Sequence, residues 1–214
     1  MDELAVSLTI VTSAVWIGAL AIVGASIALA IISARIRVPL LGALTAVPVL
    51  VGLLAYSVGI TVPAPHPAYA ALVAIGLFIL GVTAGNPITV YVLEFAAPTT
   101  VRAGLHGGIL TDASPQDPHG GRGLHPGGHP ANRTDGAAVE VLRGGATIGD
   151  LERIAVLGCL AAGRIEGIAV IVAIKGLGRF SDLSSPEARE RFIIGTLVSL
   201  IWACSTGALL ILVL

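Results

Sequence analysis

Charged residues are scarce in this chain: of its 214 residues only 12% are Asp, Glu, Lys or Arg, against about 25% in a typical soluble domain. Hydrophobic residues make up 55%, and the mean hydropathy is +0.94. These values exclude an ordinary soluble domain and indicate a membrane protein, with the lipid bilayer as its surroundings. The net charge of −1, with no basic tail, gives no indication of a nucleic-acid partner.

Cysteine, lysine and the usual catalytic motifs are also nearly absent. Cys159 and Cys204 are the only cysteines and lie in apolar runs, which excludes a disulfide framework and predicts two small buried side chains. No HExxH or Walker spacing occurs, and no serine stands in a nucleophile motif. We therefore expect no enzyme activity and no cofactor. Histidines at four positions could bind a metal, but without a fixed geometry we expect no metal site: His106, His119, His125 and His129.

Long apolar runs supply the predicted membrane helices. Residues 4–32 contain no charge and exceed the roughly 20 residues that cross a bilayer. A second run covers 40–62, with Pro48 as a predicted kink, and the last covers 192–214. The third run, 68–84, ends at "GNP", which predicts a helix stop and restart with Asn86 as N-cap and Pro87 at the first helical position.

The composition divides the chain into three predicted parts. Residues 1–97 form a membrane region of three helices, and residues 141–214 form a short hairpin followed by the last transmembrane helix. Between them, residues 98–140 are rich in Gly, Pro, His, Asp and Thr and too poor in large apolar residues to offset the entropy of ordering, which predicts a disordered cytoplasmic loop.

Arginine positions predict the orientation, because cytoplasmic connections carry an excess of Lys and Arg. Arg35 and Arg37 place the first connection inside, whereas the "PAPHP" turn at 63–67 has no basic residue and is placed outside. Lys175 and the three arginines that follow place the start of the last helix inside. Both termini are then outside. The preference for Arg over Lys, together with the Ala, Val and Gly content, suggests a bacterial plasma membrane protein.

The stretch 147–180 must leave the cytoplasmic side and return to it, since both of its flanks are predicted to be cytoplasmic. Each arm is about 24 Å long as a helix, short of a hydrocarbon core of about 30 Å. Three arrangements stay open: a pair of short spans, a re-entrant hairpin, or helices lying flat at the interface. We favour a hairpin folded about Gly163, because this fold brings Glu152 level with Lys175 and pairs their charges. Small residues recur on both arms and predict close packing between them: Ala155, Gly158, Ala162, Ala169, Ala173 and Gly176.

Three groups of residues in this C-terminal region are candidate functional positions. The intramembrane charge cluster is Glu152, Arg153, Glu166 and Lys175, which act either as structural ion pairs or as a relay for protons or substrate. Predicted contacts with lipid headgroups are Arg179, Arg189 and Arg191. A face of small residues for helix packing, on the hairpin or on another subunit, is Gly195, Ser199, Ala203 and Gly207.

The C-terminal third resembles a bacterial family of small integral membrane proteins of unknown function, in which an "IG-LER" segment, an "AxKxLxRF" arm and an "F-IGTL-S" helix recur. The matching positions are Ile148, Gly149, Leu151, Glu152, Arg153, Lys175, Arg179, Phe180, Ile194, Gly195, Thr196, Leu197 and Ser199. The resemblance implies that the hairpin and last helix form one unit, and it implies no activity.

The sequence therefore predicts an all-α polytopic membrane bundle of about six membrane helices, including the short hairpin, with one disordered loop. The predicted function is that of a non-enzymatic membrane component that assembles with a second copy or with a membrane protein partner. The alternative is a small transporter or channel that uses the charge cluster. A charge-lined cavity at Glu152 and Lys175 would favour transport, and a dry ion pair with an exposed glycine face would favour assembly.

Overall fold

A computed structural model describes residues 2–96, 109–111, 139–141, 145–179 and 186–214. The chain divides into two compact units, one of residues 1–98 together with 147–214 and one of residues 99–146. The larger unit is built from helices, which confirms the predicted all-α class. The helices are α1 (Asp2–Ile36), α2 (Pro39–Leu44), α3 (Ala46–Ser57), α4 (Pro67–Thr83), α5 (Gly85–Ala96), α6 (Gly145–Ala161), α7 (Glu166–Gly178) and α8 (Pro186–Val213).

The predicted disordered loop at 98–140 lies mostly outside the described residues. Two short segments at this part of the chain are described: strands β1 (Ile109–Thr111) and β2 (Val139–Val141) pair antiparallel, with Leu110 opposite Glu140. This pairing was not predicted from the sequence.

Three helical segments are long and apolar enough to cross a membrane: Ala5–Ile36, Pro39–Ser57 and Pro186–Val213. A fourth candidate is α4 together with α5, if the two helices form one span that is bent by 41° at the break between them. The prediction of about six membrane helices is therefore too high for the described residues. The two hairpin arms, α6 and α7, have only 17 and 13 residues and fall below the length of an ordinary span.

The second apolar run is broken shortly before Pro48, where a proline kink is expected. Helix α2 ends at Leu44 and α3 begins at Ala46, so the break is at Thr45, three residues before Pro48. Proline has no N–H to donate to the carbonyl four residues earlier, which weakens the helix on its N-terminal side. The Thr45 hydroxyl donates to the Gly42 carbonyl at 2.5 Å and supplies a donor at the break.

The bundle is held together by large apolar side chains between α1, α4 and α8, helped by close approach at a few glycines. Trp16, Leu77, Leu80 and Trp202 are buried in this core. The outward surface is also apolar: Leu8, Leu54 and Ile201 expose 65%, 64% and 65% of their surface. A soluble protein rarely exposes so many large apolar side chains, whereas a bilayer solvates them. The chain is therefore a membrane protein.

The C-terminal region folds back on itself as predicted. Helix α6 ends at Ala161, α7 begins at Glu166, and Gly163 in the turn has a φ of +66°, a left-handed conformation that glycine adopts without steric cost. The Arg164 amide donates to the Cys159 carbonyl at 2.8 Å and closes the turn. Contacts between Glu152 and Lys175 near one end, and between Cys159 and Gly167 near the turn, show that the two arms run antiparallel.

Candidate functional site

The candidate site is built where α4 ends and α5 begins. The last carbonyls of a helix have no amide partner within the helix, and α4 ends at Thr83. Side chains from two other helices supply donors instead. Arg153 Nε of α6 donates to the Val82 carbonyl at 3.0 Å, and Trp202 Nε1 of α8 donates to the Gly81 carbonyl at 3.0 Å. Side chains of the C-terminal region are thus hydrogen-bonded to backbone carbonyls at the end of α4.

The predicted helix stop and restart at "GNP" is confirmed, but the second helix begins two residues earlier than predicted. Helix α5 begins at Gly85, so Asn86 and Pro87 lie in its first turn and Asn86 is not its N-cap. Pro87 tolerates this place because the first-turn amides of a helix lack intrahelical partners. The Asn86 side chain reaches across to α6 and donates from Nδ2 to Asp150 Oδ1 at 3.1 Å.

Arg153 is the central residue of the site and is only 2% exposed. Besides Val82, its guanidinium contacts Ser199 Oγ through Nη1 at 3.1 Å and Asp150 Oδ1 through Nη2 at 2.5 Å. All three nitrogens therefore have a partner, which is what a charge needs when it is removed from water. The positive charge also lies at the C-terminal end of α4, where the helix dipole is negative.

Two glycines make room for this guanidinium. A Cβ atom added at Gly85 would overlap the Cδ, Nε and Cζ atoms of Arg153. A Cβ atom at Gly149 would lie 3.2 Å from Arg153 Nη1 and 3.4 Å from Asn86 Oδ1. The first contact is impossible without movement, so Gly85 is needed for the arginine to lie against the helix break.

Glu152 and Lys175 form a second ion pair one residue away. Lys175 Nζ lies 2.5 Å from Glu152 Oε2, and the two side chains are 18% and 14% exposed. The ammonium also lies 5.7 Å from the centre of the Phe192 ring on α8, within the range of a cation–π contact. The contact between Lys175 and Glu152 confirms the ion pair that a hairpin folded about Gly163 predicts.

Helices α6 and α8 run parallel beside each other. Arg153 contacts Ser199, and farther along both helices Leu160 Cδ1 lies 2.5 Å from where a Gly207 Cβ atom would be. Beyond them, a groove is lined by Gly163 and Ile165 of the hairpin turn and by Leu210 and Leu214 of α8. The turn of the hairpin is therefore level with the last turn of α8.

A cavity of about 10 Å³ lies beside the two ion pairs. This is close to the minimum volume that one water molecule needs. Among its lining residues are Glu152, Arg153, Lys175, Thr196 and Ser199. The charged residues thus border a space far too small for an organic substrate.

The predicted charge cluster is only partly assembled. The structure brings Glu152, Arg153 and Lys175 together, but Glu166 lies in the first turn of α7, exposed, at the opposite end of the hairpin. The prediction that Glu166 belongs to the cluster is wrong. In antiparallel arms, residues near the turn lie far from residues at the open end of the hairpin, where Glu152 and Lys175 are. The three predicted headgroup contacts lie toward the open end of the hairpin, opposite its turn. Arg179 and Arg191 are half-buried and Arg189 is exposed.

The small-residue face of α8 is used inside the chain. Ser199, Ala203 and Gly207 are buried, and Gly207 packs against Leu157 and Leu160 of α6. Gly195 is half-buried, and a Cβ atom there would lie 3.6 Å from both Thr89 and Leu93 of α5. Of the two locations that the sequence analysis left open for this face, the structure places it on the hairpin, with α5 at Gly195.

The small residues of the hairpin arms behave differently. A Cβ atom added at Gly158 or at Gly176 would have no described neighbour within 4 Å. The prediction that these two glycines lie between the arms is wrong; the arms approach each other at Gly167, where a Cβ atom would lie 2.5 Å from Cys159 Sγ. Gly158 and Gly176 face outward.

Sequence reasoning missed how the charged residues connect to the N-terminal helices. Asn86 and Gly85 were not recognised as neighbours of the cluster, and Asp150 was not included in it. The hydrogen bond from Trp202 to the Gly81 carbonyl was not predicted either. The available signal was the helix break at "GNP", since a break leaves carbonyl groups that require donors from elsewhere. No group of three or more His, Cys, Asp or Glu side chains that could hold a metal lies in the described part of the chain, and the four histidines named above lie outside it.

Comparison with protein-family models, with curated proteins and with solved structures finds no match. The resemblance to a bacterial membrane protein family therefore stays a prediction.

Proposed function

We propose that this chain is a non-enzymatic component of a bacterial plasma membrane that assembles, with itself or with a membrane protein partner, through the outward face of its hairpin. The N-terminal helices and α8 serve as the support on which the hairpin is docked. Hydrogen bonds from Arg153 to Val82 and Ser199, and from Asn86 to Asp150, hold the hairpin to that support.

The pairing of the embedded charges is the observation that carries this proposal. Glu152 is paired with Lys175, and Arg153 has three hydrogen-bond partners. The space beside them is about 10 Å³. Charges that move ions or substrates line a water-filled path, whereas structural charges pair with each other. The arrangement supports a structural role.

The outward face of α7 supports the assembly role. None of the 13 residues of α7, all of which the structure describes, is buried. Val170, Ile174 and Leu177 share one face and are 57%, 66% and 78% exposed; Gly176, about 100° farther around the helix from Leu177, also has open space at its Cα. Membrane helices associate where small residues let backbones approach, so α7 offers a surface for another helix.

A leucine at Gly176 tests this role. Because open space surrounds Gly176, Gly176→Leu is expected to leave the fold and the thermal midpoint of the isolated protein unchanged. It should reduce association, measured as energy transfer between labelled copies in liposomes and as recovery of cross-linked partners from membranes, by about tenfold or more. The matched control is Gly207→Leu, which meets Leu160 within the chain and should lower the thermal midpoint instead.

Association that is unchanged in Gly176→Leu, in both measurements, would refute assembly through α7. Gly158→Leu on α6, also facing open space, distinguishes whether one arm or both arms form the contact.

With both termini outside, as the arginine positions predict, we propose that the hairpin turn lies close to the outer surface. Its turn is level with Leu210 and Leu214 at the end of α8, the helix with the 23-residue apolar run that the sequence analysis identified. Cysteines introduced at Arg164 and Glu166 should react with a membrane-impermeant reagent added from outside. Reaction only from inside would exclude a spanning hairpin.

A small transporter or channel is the second candidate, favoured by the 41° bend between α4 and α5 beside buried charges. Broken membrane helices often bind ions or substrates at their ends. Proteoliposomes that carry the wild-type protein should then conduct ions or protons, and Glu152→Gln should abolish the flux. Equal leakage from protein-containing and protein-free vesicles would exclude this function.

A further inference from the structure

We propose that the cavity between α6, α7 and α8 is a binding site for one water molecule, which joins the Thr196 hydroxyl to the Glu152–Lys175 ion pair. The proposal concerns the interior of the C-terminal unit and does not depend on the proposed assembly function.

The first observation is a buried hydroxyl. Thr196 Oγ1 is fully buried and has no hydrogen-bond partner among the described residues. A hydroxyl removed from water without a partner costs free energy, and buried polar atoms in folded proteins nearly always find one. Thr196 lines the cavity, so a molecule bound there would lie against it.

The second observation is the set of polar groups around the same space. Lys175 has three N–H donors: one contacts Glu152 Oε2, and the ammonium lies 5.7 Å from the Phe192 ring, which leaves a donor for another acceptor. Glu152 has a second carboxylate oxygen, Oε1, and Ser199 is a further lining residue. A buried water typically makes about three hydrogen bonds, and this site offers at least that number of partners.

The third observation is the volume. At about 10 Å³, the cavity is near the lower limit for one water and below the size of any organic ligand. Water is also the ligand that can both accept from Lys175 and donate to Glu152. It would link α8 to both arms of the hairpin through a single molecule.

Thr196→Val tests the proposal, because a hydroxyl bound to water and a hydroxyl without a partner predict different changes in the thermal midpoint. Valine has nearly the shape of threonine but no hydroxyl. If the hydroxyl binds a water that is held in turn by the ion pair, its removal should lower the thermal midpoint by roughly 2–4 °C. If the hydroxyl has no partner at all, its removal should leave the midpoint unchanged or raise it, because an unsatisfied polar group has been deleted.

Thr89→Val is the matched control. Thr89 Oγ1 is likewise buried without a described partner, but Thr89 does not line this cavity. Its valine variant should leave the midpoint unchanged or raise it. Unchanged or raised stability in Thr196→Val would overturn the proposal. An equal loss of stability in both variants would also overturn it, because the loss would then follow from removing a buried threonine hydroxyl anywhere and not from this cavity.

An experimental structure of the wild-type protein, at a resolution where ordered waters are visible, gives a second measurement that requires no variant. Density within about 3.2 Å of Thr196 Oγ1 and of one further polar atom of the lining is expected. A cavity without such density would refute the proposal even if Thr196→Val failed to accumulate.

Discussion

Replacing Arg153 by methionine should destabilise the fold by about 2–4 kcal/mol. The change keeps much of the side-chain length but removes three hydrogen bonds, to Val82, Ser199 and Asp150. These bonds join three parts of the chain: the end of α4, the middle of α8 and the first half of α6. The variant therefore tests whether the guanidinium holds the hairpin to the N-terminal helices.

The magnitude follows from what each partner loses. The Val82 carbonyl lies in the bundle, and a buried acceptor without a donor costs about 1–3 kcal/mol. The Ser199 hydroxyl can donate to a carbonyl of its own helix, so its loss is small. Asp150 keeps 42% of its side chain exposed and can be solvated by water, which limits the contribution of the broken ion pair to about 1 kcal/mol. Burying the arginine charge costs free energy that methionine does not cost, and this difference offsets part of the destabilisation.

The free energy of unfolding can be measured by denaturant titration of the purified protein in mixed micelles. Arg153→Lys should lose less than Arg153→Met, since lysine keeps the charge but cannot reach three partners at once. Arg164→Met is the control, because Arg164 lies exposed in the hairpin turn and its loss should change stability by less than about 0.5 kcal/mol. Equal effects of the methionine substitutions at positions 153 and 164 would refute the reasoning.

Three further outcomes are expected. Glu152→Lys and Lys175→Glu should each reduce the amount of folded protein in membranes, whereas the double exchange restores it; a double variant no better than the single ones would contradict the ion pair. Gly163→Ala should cost about 1 kcal/mol because of its left-handed backbone, whereas Gly158→Ala, on an open helical face, should stabilise by up to about 1 kcal/mol in the same titration. Trp202→Phe should lower the thermal midpoint by roughly 2–4 °C, since the Gly81 carbonyl loses its donor; no shift would show that the carbonyl finds another partner.

The fold of the hairpin could be predicted from the sequence because few arrangements suit it. Two short apolar arms around Gly163 carry one carboxylate and one ammonium at matching distances from the turn, and burial of either charge alone would be costly. The pairing of Glu152 with Lys175 follows from these two facts. Local pattern and charge were sufficient here because the arms are adjacent in sequence.

The partners of Arg153 could not be predicted in the same way. Val82 and Ser199 are separated from it by 71 and 46 positions, and neither carries a charge. The carbonyl of Val82 becomes an acceptor only because α4 ends near it, and which helix packs on that end depends on the whole bundle. A helix break is visible in sequence, but the side chain that satisfies it is not.

The number of spans was overestimated for a related reason. Apolar composition and the cytoplasmic flanks suggested that both hairpin arms enter the membrane, and both were counted as membrane helices although each arm is short of the hydrocarbon core. With 17 and 13 residues, α6 and α7 do not meet the length of independent spans. Their place beside α8 is determined by contacts such as Leu160 with Gly207, which no hydropathy pattern contains.

The break between α4 and α5 bears most directly on function. In transporters, the ends of broken helices bind ions or substrates, because their unpaired carbonyl and amide groups need partners. Here the Val82 and Gly81 carbonyls receive donors from Arg153 and Trp202 of the same chain. For an ion to bind there, the guanidinium would have to leave a site in which all three of its nitrogens are bonded, and α6 would have to move with it. The broken helix is therefore better understood as the receptor for the hairpin than as a receptor for a ligand.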